Sequence, residues 1–271
     1  MLANHSPSDS PNLGADLRGA VLTLTLQRPE ALNSLTTELI DALRVRLEQA
    51  AADPAVRCVV ITGAGRAFCA GQDLKDPAVA AVEGGAADLG AVVAHHYKPL
   101  MLCLRAMPVP TVAAVNGVAA GAGASLALAC DIAIARRGAN FLQAFGAIGL
   151  IPDSGATWLL PRLAGRARAL GMTLLGEKIG AERAANMGLI WSCVDDDAFE
   201  AEVTRTAERL AGLPTRAMAR TRALVDDAQH MDFAQALDAE ARAQGELGRA
   251  PDYAEGVAAF TQKRAPRFTD R

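Results

Sequence analysis

The chain has 271 residues, 51% hydrophobic, 21% charged and 4% aromatic, which is enough apolar surface to build a core in one or two domains and too much for a disordered chain. Lys and Arg number 27 against 30 Asp and Glu, a formal charge of −3, and no basic run exceeds two residues, which argues against nucleic acid as a partner. The longest apolar stretch, about residues 112–130, is broken by Asn116 and Ser125 and diluted by glycines, a pattern of packed backbone rather than a membrane span.

Residues 1–16 are polar, lack a basic start followed by an apolar run, and read as a frayed tail rather than a secretory signal. VLTLTLQ (21–27) alternates at period two and predicts a strand, followed by an irregular connection through RPEALNSL. Thr36 or Thr37 then caps a helix ending at Asp53-Pro54, with Leu39, Ile40, Leu43, Leu47 and Ala50 on its inner face. VRCVVITG (56–63), VPTVAAVNG (109–117) and DIAIA (131–135) are short β-branched runs that predict buried strands.

Residues 76–94 are rich in Ala and Gly and fit either a mobile cover over a pocket or an ordinary surface loop. The strand–helix–strand order over roughly the first 190 residues predicts an α/β core, residues 17–197, with no visible internal repeat. From about residue 198 the pattern is helical, a C-terminal subdomain over 198–271. Five cysteines without paired CxxC spacing fit reduced thiols in the cytoplasm, and no metal-ligand motif is present.

Three loops stand out as chemistry. GRAFCAGQDL (65–74) follows a strand, and its small residues let backbone N–H groups approach a ligand. NGVAAGAGASLALACD (116–131) runs from a glycine-rich turn into a helix, whose N-terminus favours a developing negative oxygen. Neither matches a phosphate-binding or nucleophile-elbow motif. In GLIPDSGATWLLPRLAGRARAL (149–170), Asp153 stands among Leu150, Ile151, Trp158 and Leu159, where desolvation would ready it as an acid or base; the same placement suits a helix N-cap. Asp73 suits an Asx-type turn that fixes its loop, and Cys69 reads as packing.

The paired signatures AFCAGQDL and AVNGVAAGAGASLALACDIAIA resemble the two oxyanion-hole segments of the crotonase (enoyl-CoA hydratase/isomerase) superfamily, over about residues 18–271. Within it, GQDL, NGVAAGAG, GLIPDSGATWLLPR, TLLGEKIGAE, GLIWSCVDD and DYAEGVAAFTQKRAPRF resemble the branch that isomerises ring-1,2-epoxyphenylacetyl-CoA. The resemblance implies a spiral of ββα units with a helical C-terminal trimerisation region, an acyl-CoA substrate, no separate cofactor, and a homotrimer or dimer of trimers.

By position it implies thioester-oxygen contacts from the N–H groups of Ala70 and Ala122, with Ala122 standing where many relatives have Gly. The two glutamates of the hydratases are matched here by Ser125 and Phe145, which leaves Asp153 as the working acid or base. CoA contacts are implied for Arg28, Ala31, Ala67, Phe68, Ala70, Gly71, Gln72, Asp73 and Leu74, with Phe145 at the acyl end. Phe260 and Lys263 match a C-terminal FxxK at the adenine and phosphate end, though Lys263 also fits a solvated helix charge. The expected reaction is isomerisation of the ring epoxide to the oxepin, a double-bond shift in an enoyl-CoA, or both. Hydration, hydrolysis or dehalogenation, and a silent CoA-binding role are the alternatives.

Overall fold

Hydrophobic alternation sets the architecture of the computed structural model, which describes residues 10–80 and 87–270. The first strand, β1 (Leu13–Arg18), forms a hairpin with β2 (Val21–Leu26) through a two-residue turn in which Gly19 takes φ +58°. This corrects the frayed tail: residues 13–16 are strand, and only residues 1–9 lie outside the described part of that segment. Leu13 is the one buried residue of β1, so the strand carries almost no hydrophobic signal.

Thr36 caps α1 (Thr37–Ala52) by accepting from the Leu39 N–H at 3.2 Å, and Leu39, Ile40, Leu43, Leu47 and Ala50 are all buried as the periodicity requires. The chain then runs through β3 (Cys58–Gly63), β4 (Ala67–Cys69), α2 (Leu89–Val92), a π-helical turn (Val93–Tyr97) and α3 (Lys98–Arg105). The Ala/Gly-rich cover predicted over 76–94 falls partly on residues 81–86, outside the described residues. From Leu89 onward the segment is helix, capped by Asp88.

Two more strand pairs repeat the scheme. β5 (Thr111–Val115) and β6 (Val118–Ala120) lead into α4 (Ala122–Ala129); β7 (Ile132–Arg136) and β8 (Asn140–Leu142) lead into α5 (Ala156–Ala164) and α6 (Arg166–Leu175). β9 (Ile179–Gly180), α7 (Ala181–Asn186) and β10 (Ser192–Val194) close the core. The first strand of each pair joins a six-stranded sheet ordered β1-β2-β3-β5-β7-β10, antiparallel only at β1-β2, and the second joins a four-stranded sheet ordered β4-β6-β8-β9.

The central strands of the large sheet, β3, β5 and β7, are buried on both faces with period two. Val59, Ile61, Ala113, Val115, Ala133 and Ala135 face the main core, whereas Cys58, Val60, Val112, Ala114 and Ile134 face the opposite side. That second face is covered by α8 (Phe199–Ala211) through Phe199, Ala207 and Ala211, so the helical region beginning near 198 starts with a helix that belongs to the core. α9 (Thr215–Ala228), α10 (Phe233–Leu247) and α11 (Pro251–Gln262) follow. α9 is moored by polar contacts, Arg222 to Asp131 at 2.8 Å and Arg105 to Asp226.

Candidate active site

Close backbone approach brings the two glycine-rich loops together. A Cβ on Gly123 would lie 2.3 Å from the Cys69 carbonyl oxygen, so only glycine lets α4 press its first turn against β4. Gly71 has φ +92°, and a Cβ there would lie 2.8 Å from the Ala120 carbonyl and 3.5 Å from the Ala122 nitrogen. The 70–73 segment and the N-terminus of α4 are therefore direct neighbours.

Backbone hydrogen bonds decide which amides of that segment are available. The Ala70 N–H donates to the Leu32 carbonyl at 3.0 Å, and the Asp73 N–H to the Leu35 carbonyl at 2.8 Å, while the Gly71 carbonyl accepts from Leu35. The Gly71 N–H lies at the Cys69 thiol, which burial pushes up to about 12 and keeps un-ionised. Gln72 sits between these anchored residues in a parallel bridge with Leu35, and its N–H makes no hydrogen bond among the described residues. The Ala122 N–H, at the first turn of α4, is equally without a partner there. Of the expected pair, the Ala70 N–H is thus taken by the scaffold, whereas the N–H groups of Gln72 and Ala122, on the neighbouring segments, make no hydrogen bond among the described residues.

Asp153 lies half-buried in the loop before α5. Burial raises its carboxyl above the ordinary value of 3.8, against a counteracting hydrogen bond from the Ser154 hydroxyl at 2.9 Å. It is not an N-cap: Gly155 occupies that position, and no side chain caps the helix. The apolar surroundings differ from those expected, because Leu150 and Ile151 are 40% and 79% exposed and Trp158 is stacked between the guanidinium groups of Arg105 and Arg162, at 4.5 and 4.0 Å.

Ser125 is fully buried, and its hydroxyl is shared between the carbonyls of Gly121, at 3.3 Å, and Asp153, at 3.2 Å. Phe145 places its ring beside the start of α4, 3.5 Å from where a Cβ on Gly121 would be. Neither position offers a carboxylate. Tyr97, at the end of the π turn, is buried and donates its hydroxyl to Gln72 Oε1 at 2.7 Å. Burial holds its phenol protonated far above the usual range, and Asp153 lies near enough to add to that shift.

Several predicted contact residues build the loop. The Arg28 guanidinium pairs with Asp73 at 2.7 Å and donates to the Ser34 carbonyl at 2.7 Å, with side chains only 17% and 14% exposed for Arg28 and Asp73. Burial opposes the Asp73 charge, yet Arg28, the Lys75 N–H at 3.0 Å and Ser34 hold its carboxyl below the ordinary range. The Arg28 guanidinium is thus tied to the 34 and 73 segments. Ala31 is held by its own turn, its N–H donating to Arg28 and its carbonyl accepting from Ser34. The Ala67 carbonyl accepts from Asn33, and the Phe68 side chain is core, with no exposed surface; Leu74 is 61% exposed.

Asn33 and Tyr97 were missed by sequence reasoning. Asn33 is fully buried at φ +57°, donating to the Ala64 and Ala67 carbonyls and accepting from the Arg28 N–H; an Asn in a turn stretch was the available signal. Phe260, 88% exposed on α11, and Lys263, at its C-cap, are not brought to Asp153 or Ala122 within this chain. Among the described residues, no group of three His, Cys, Asp or Glu could hold a metal, and no helix is long and apolar enough to cross a membrane. The five cysteines are free thiols.

Residues 16–271 match the family model described as Enoyl-CoA hydratase/isomerase. The chain is 49% identical over 251 residues to the 1,2-epoxyphenylacetyl-CoA isomerase of Escherichia coli (strain K12), covering 93% of this chain and 95% of that one. It is 47% identical over 260 residues to a Rhodobacter capsulatus protein named "Probable enoyl-CoA hydratase", covering 94% and 97%. The crystal structure of the enoyl-CoA hydratase from Bacillus anthracis superposes with a TM-score of 0.89 at 31% identity, over 96% of this chain and 100% of that one. With a family model matched over residues 16–271 and relatives and a solved structure matched along nearly its whole length, the chain belongs to the enoyl-CoA hydratase/isomerase family, the crotonase superfamily of CoA-thioester enzymes.

Proposed function

We propose that the chain is an isomerase of a CoA thioester, converting ring-1,2-epoxyphenylacetyl-CoA to the oxepin thioester, shifting an enoyl-CoA double bond, or both. The observation that carries the reading is the single carboxylate. At the positions matched to the hydratase glutamates Asp153 is given no second acid, because Ser125 is committed to backbone carbonyls and Phe145 brings an apolar ring. The E. coli relative named for the epoxide reaction supports the same direction.

In this reading the N–H groups of Gln72 and Ala122 hold the thioester oxygen, each worth about 3 kcal/mol to the transition state. The Asp153 carboxylate takes a proton from one carbon, the amides carry the negative charge of the enolate, and the carboxyl returns the proton to another carbon. Nothing is added to the substrate, and CoA enters as part of it rather than as a separate cofactor. Ring expansion of the epoxide draws on the same polarised thioester.

α9, α10 and α11 leave Val225 and Phe233 exposed, and Tyr253, Val257 and Phe260 exposed along an open groove of about 840 Å³, an arrangement that supports a homotrimer or dimer of trimers with this face covered and Phe260 and Lys263 offered to a neighbouring subunit's CoA. Free thiols, three of them buried, fit a reducing cytoplasm.

The test is to incubate the protein with a trans-3-enoyl-CoA and, separately, with the ring epoxide in deuterated water. Conjugated 2-enoyl absorbance, or an oxepin of unchanged composition, is expected, with deuterium in the acyl group and no added water. A product that has gained water would establish the hydratase reading instead, and a covalent acyl-aspartyl enzyme detected by mass spectrometry the hydrolytic one.

A further inference from the structure

Tyr97 is a buried polar group, hydrogen-bonded to Gln72, that the proposed chemistry leaves unused. It ends a five-residue π-helical turn, Val93–Tyr97, set between two α-helical stretches. Such a turn inserts an extra residue and swings the following side chains around the axis, and proteins retain it where a side chain must be re-aimed. Here the neighbouring residue, His96, reaches Asp41 on α1 at 3.0 Å, and Tyr97 reaches inward to Gln72 at 2.7 Å. The turn therefore ties the helix to α1 and to the thioester-facing segment at once.

Gln72 is fixed unevenly. On one side its neighbours are bound to Leu32 and Leu35 through the backbone. On the other side the Gln72 backbone makes no hydrogen bond among the described residues, and its side-chain oxygen is held by Tyr97 while its nitrogen donates to the Asp73 carbonyl at 3.2 Å. We infer that Tyr97 is a positioning residue: the Leu35 bond to the Gly71 carbonyl sets the plane of the Gly71–Gln72 peptide, and Tyr97, through its hydrogen bond to the Gln72 side chain, steadies that segment so that the Gln72 N–H stays aimed at the thioester oxygen. Burial keeps the phenol protonated, so it remains a donor to Gln72 at every working pH. This inference rests on the reading of Gln72 and Ala122 as the oxyanion donors, and not on the acid–base role of Asp153.

The test is a double-mutant cycle of Tyr97→Phe and Gln72→Met. The first keeps the ring that fills the core, and the second keeps the backbone N–H while removing the acceptor. The first readout is the infrared carbonyl band of a bound saturated acyl-CoA thioester, which needs no turnover. Wild type should lower the carbonyl frequency, each single variant should lose part of that shift, and the double variant should lose no more than the larger single loss. The second readout is kinetic: kcat falls about tenfold with KM within about twofold, again without additivity. A carbonyl shift unchanged in folded Tyr97→Phe, or losses that add in the double variant, would overturn the inference, the latter because Tyr97 then acts on substrate by itself. Failure of the isomerase reading is recognised separately, by a wild-type enzyme that shifts the carbonyl band but does not isomerise.

Discussion

The Ser125 hydroxyl and the Asp153 backbone carbonyl meet at 3.2 Å, so the helix that presents the Ala122 amide also holds the loop that carries the carboxylate. In the proposed reading the oxyanion donor and the acid–base group are thus linked through one part-buried hydrogen bond. Ser125→Ala should leave the Asp153 carbonyl short of a donor and cost about 1 kcal/mol of stability, measured by urea unfolding. With the loop less firmly placed, kcat should fall several-fold while acyl-CoA affinity is kept, measured by steady-state kinetics and calorimetry.

Asp153 should make the protein's stability depend on pH in a defined direction. Burial raises its carboxyl above the unfolded value near 3.8. The folded state then holds the proton more tightly than the unfolded chain, and its contribution is full below 3.8 and lost as pH rises through the folded pKa. Asp153→Asn should therefore be more stable than wild type at pH 7, with the difference shrinking as pH falls through the carboxylate range. Activity should rise with pH over the same interval as the base form appears. Urea unfolding and pH–rate profiles check both.

The Arg28–Asp73 pair should behave as an anchor of the thioester-facing segment. Arg28→Ala leaves a covered carboxylate without its cation and should cost about 2–3 kcal/mol. Asp73, held below the ordinary carboxylate range in the folded state, contributes stability present above its unfolded pKa and lost as pH falls through the folded one. Arg28→Ala should therefore flatten the acid side of the stability profile. Because Arg28 is committed to Asp73 and Ser34, the loss should appear more in kcat than in CoA affinity.

Elements with a strong local signal were legible in the sequence. The cap at Thr36 and the apolar stripe through Leu39, Leu43 and Leu47 belong to one helix and need no distant partner to be recognised. β3, β5 and β7 announced themselves as β-branched runs because both of their faces are buried. β1 did not, since at the sheet edge only Leu13 is covered, and the ββα repeat was hidden because β4, β6 and β8 are three residues long.

The site divides in the same way. Asp153 and Ala122 are candidates legible from loop chemistry and resemblance, since each stands just before or at the start of a helix. That the Ala70 N–H is bonded and the Gln72 N–H is not, among the described residues, was not legible, because it depends on which groups of this segment Leu32 and Leu35, far upstream in the chain, engage. Tyr97 was equally hidden, since its aim comes from a π turn with no sequence pattern of its own.

The most direct measurement is steady-state isomerisation by folded Asp153→Asn, alongside its affinity for the acyl-CoA. The asparagine keeps the shape and cannot take up the proton, so kcat should fall by about 10²–10⁴-fold with affinity retained. Turnover equal to wild type in a variant with native stability and binding would contradict the assignment of Asp153 as the group that moves the proton.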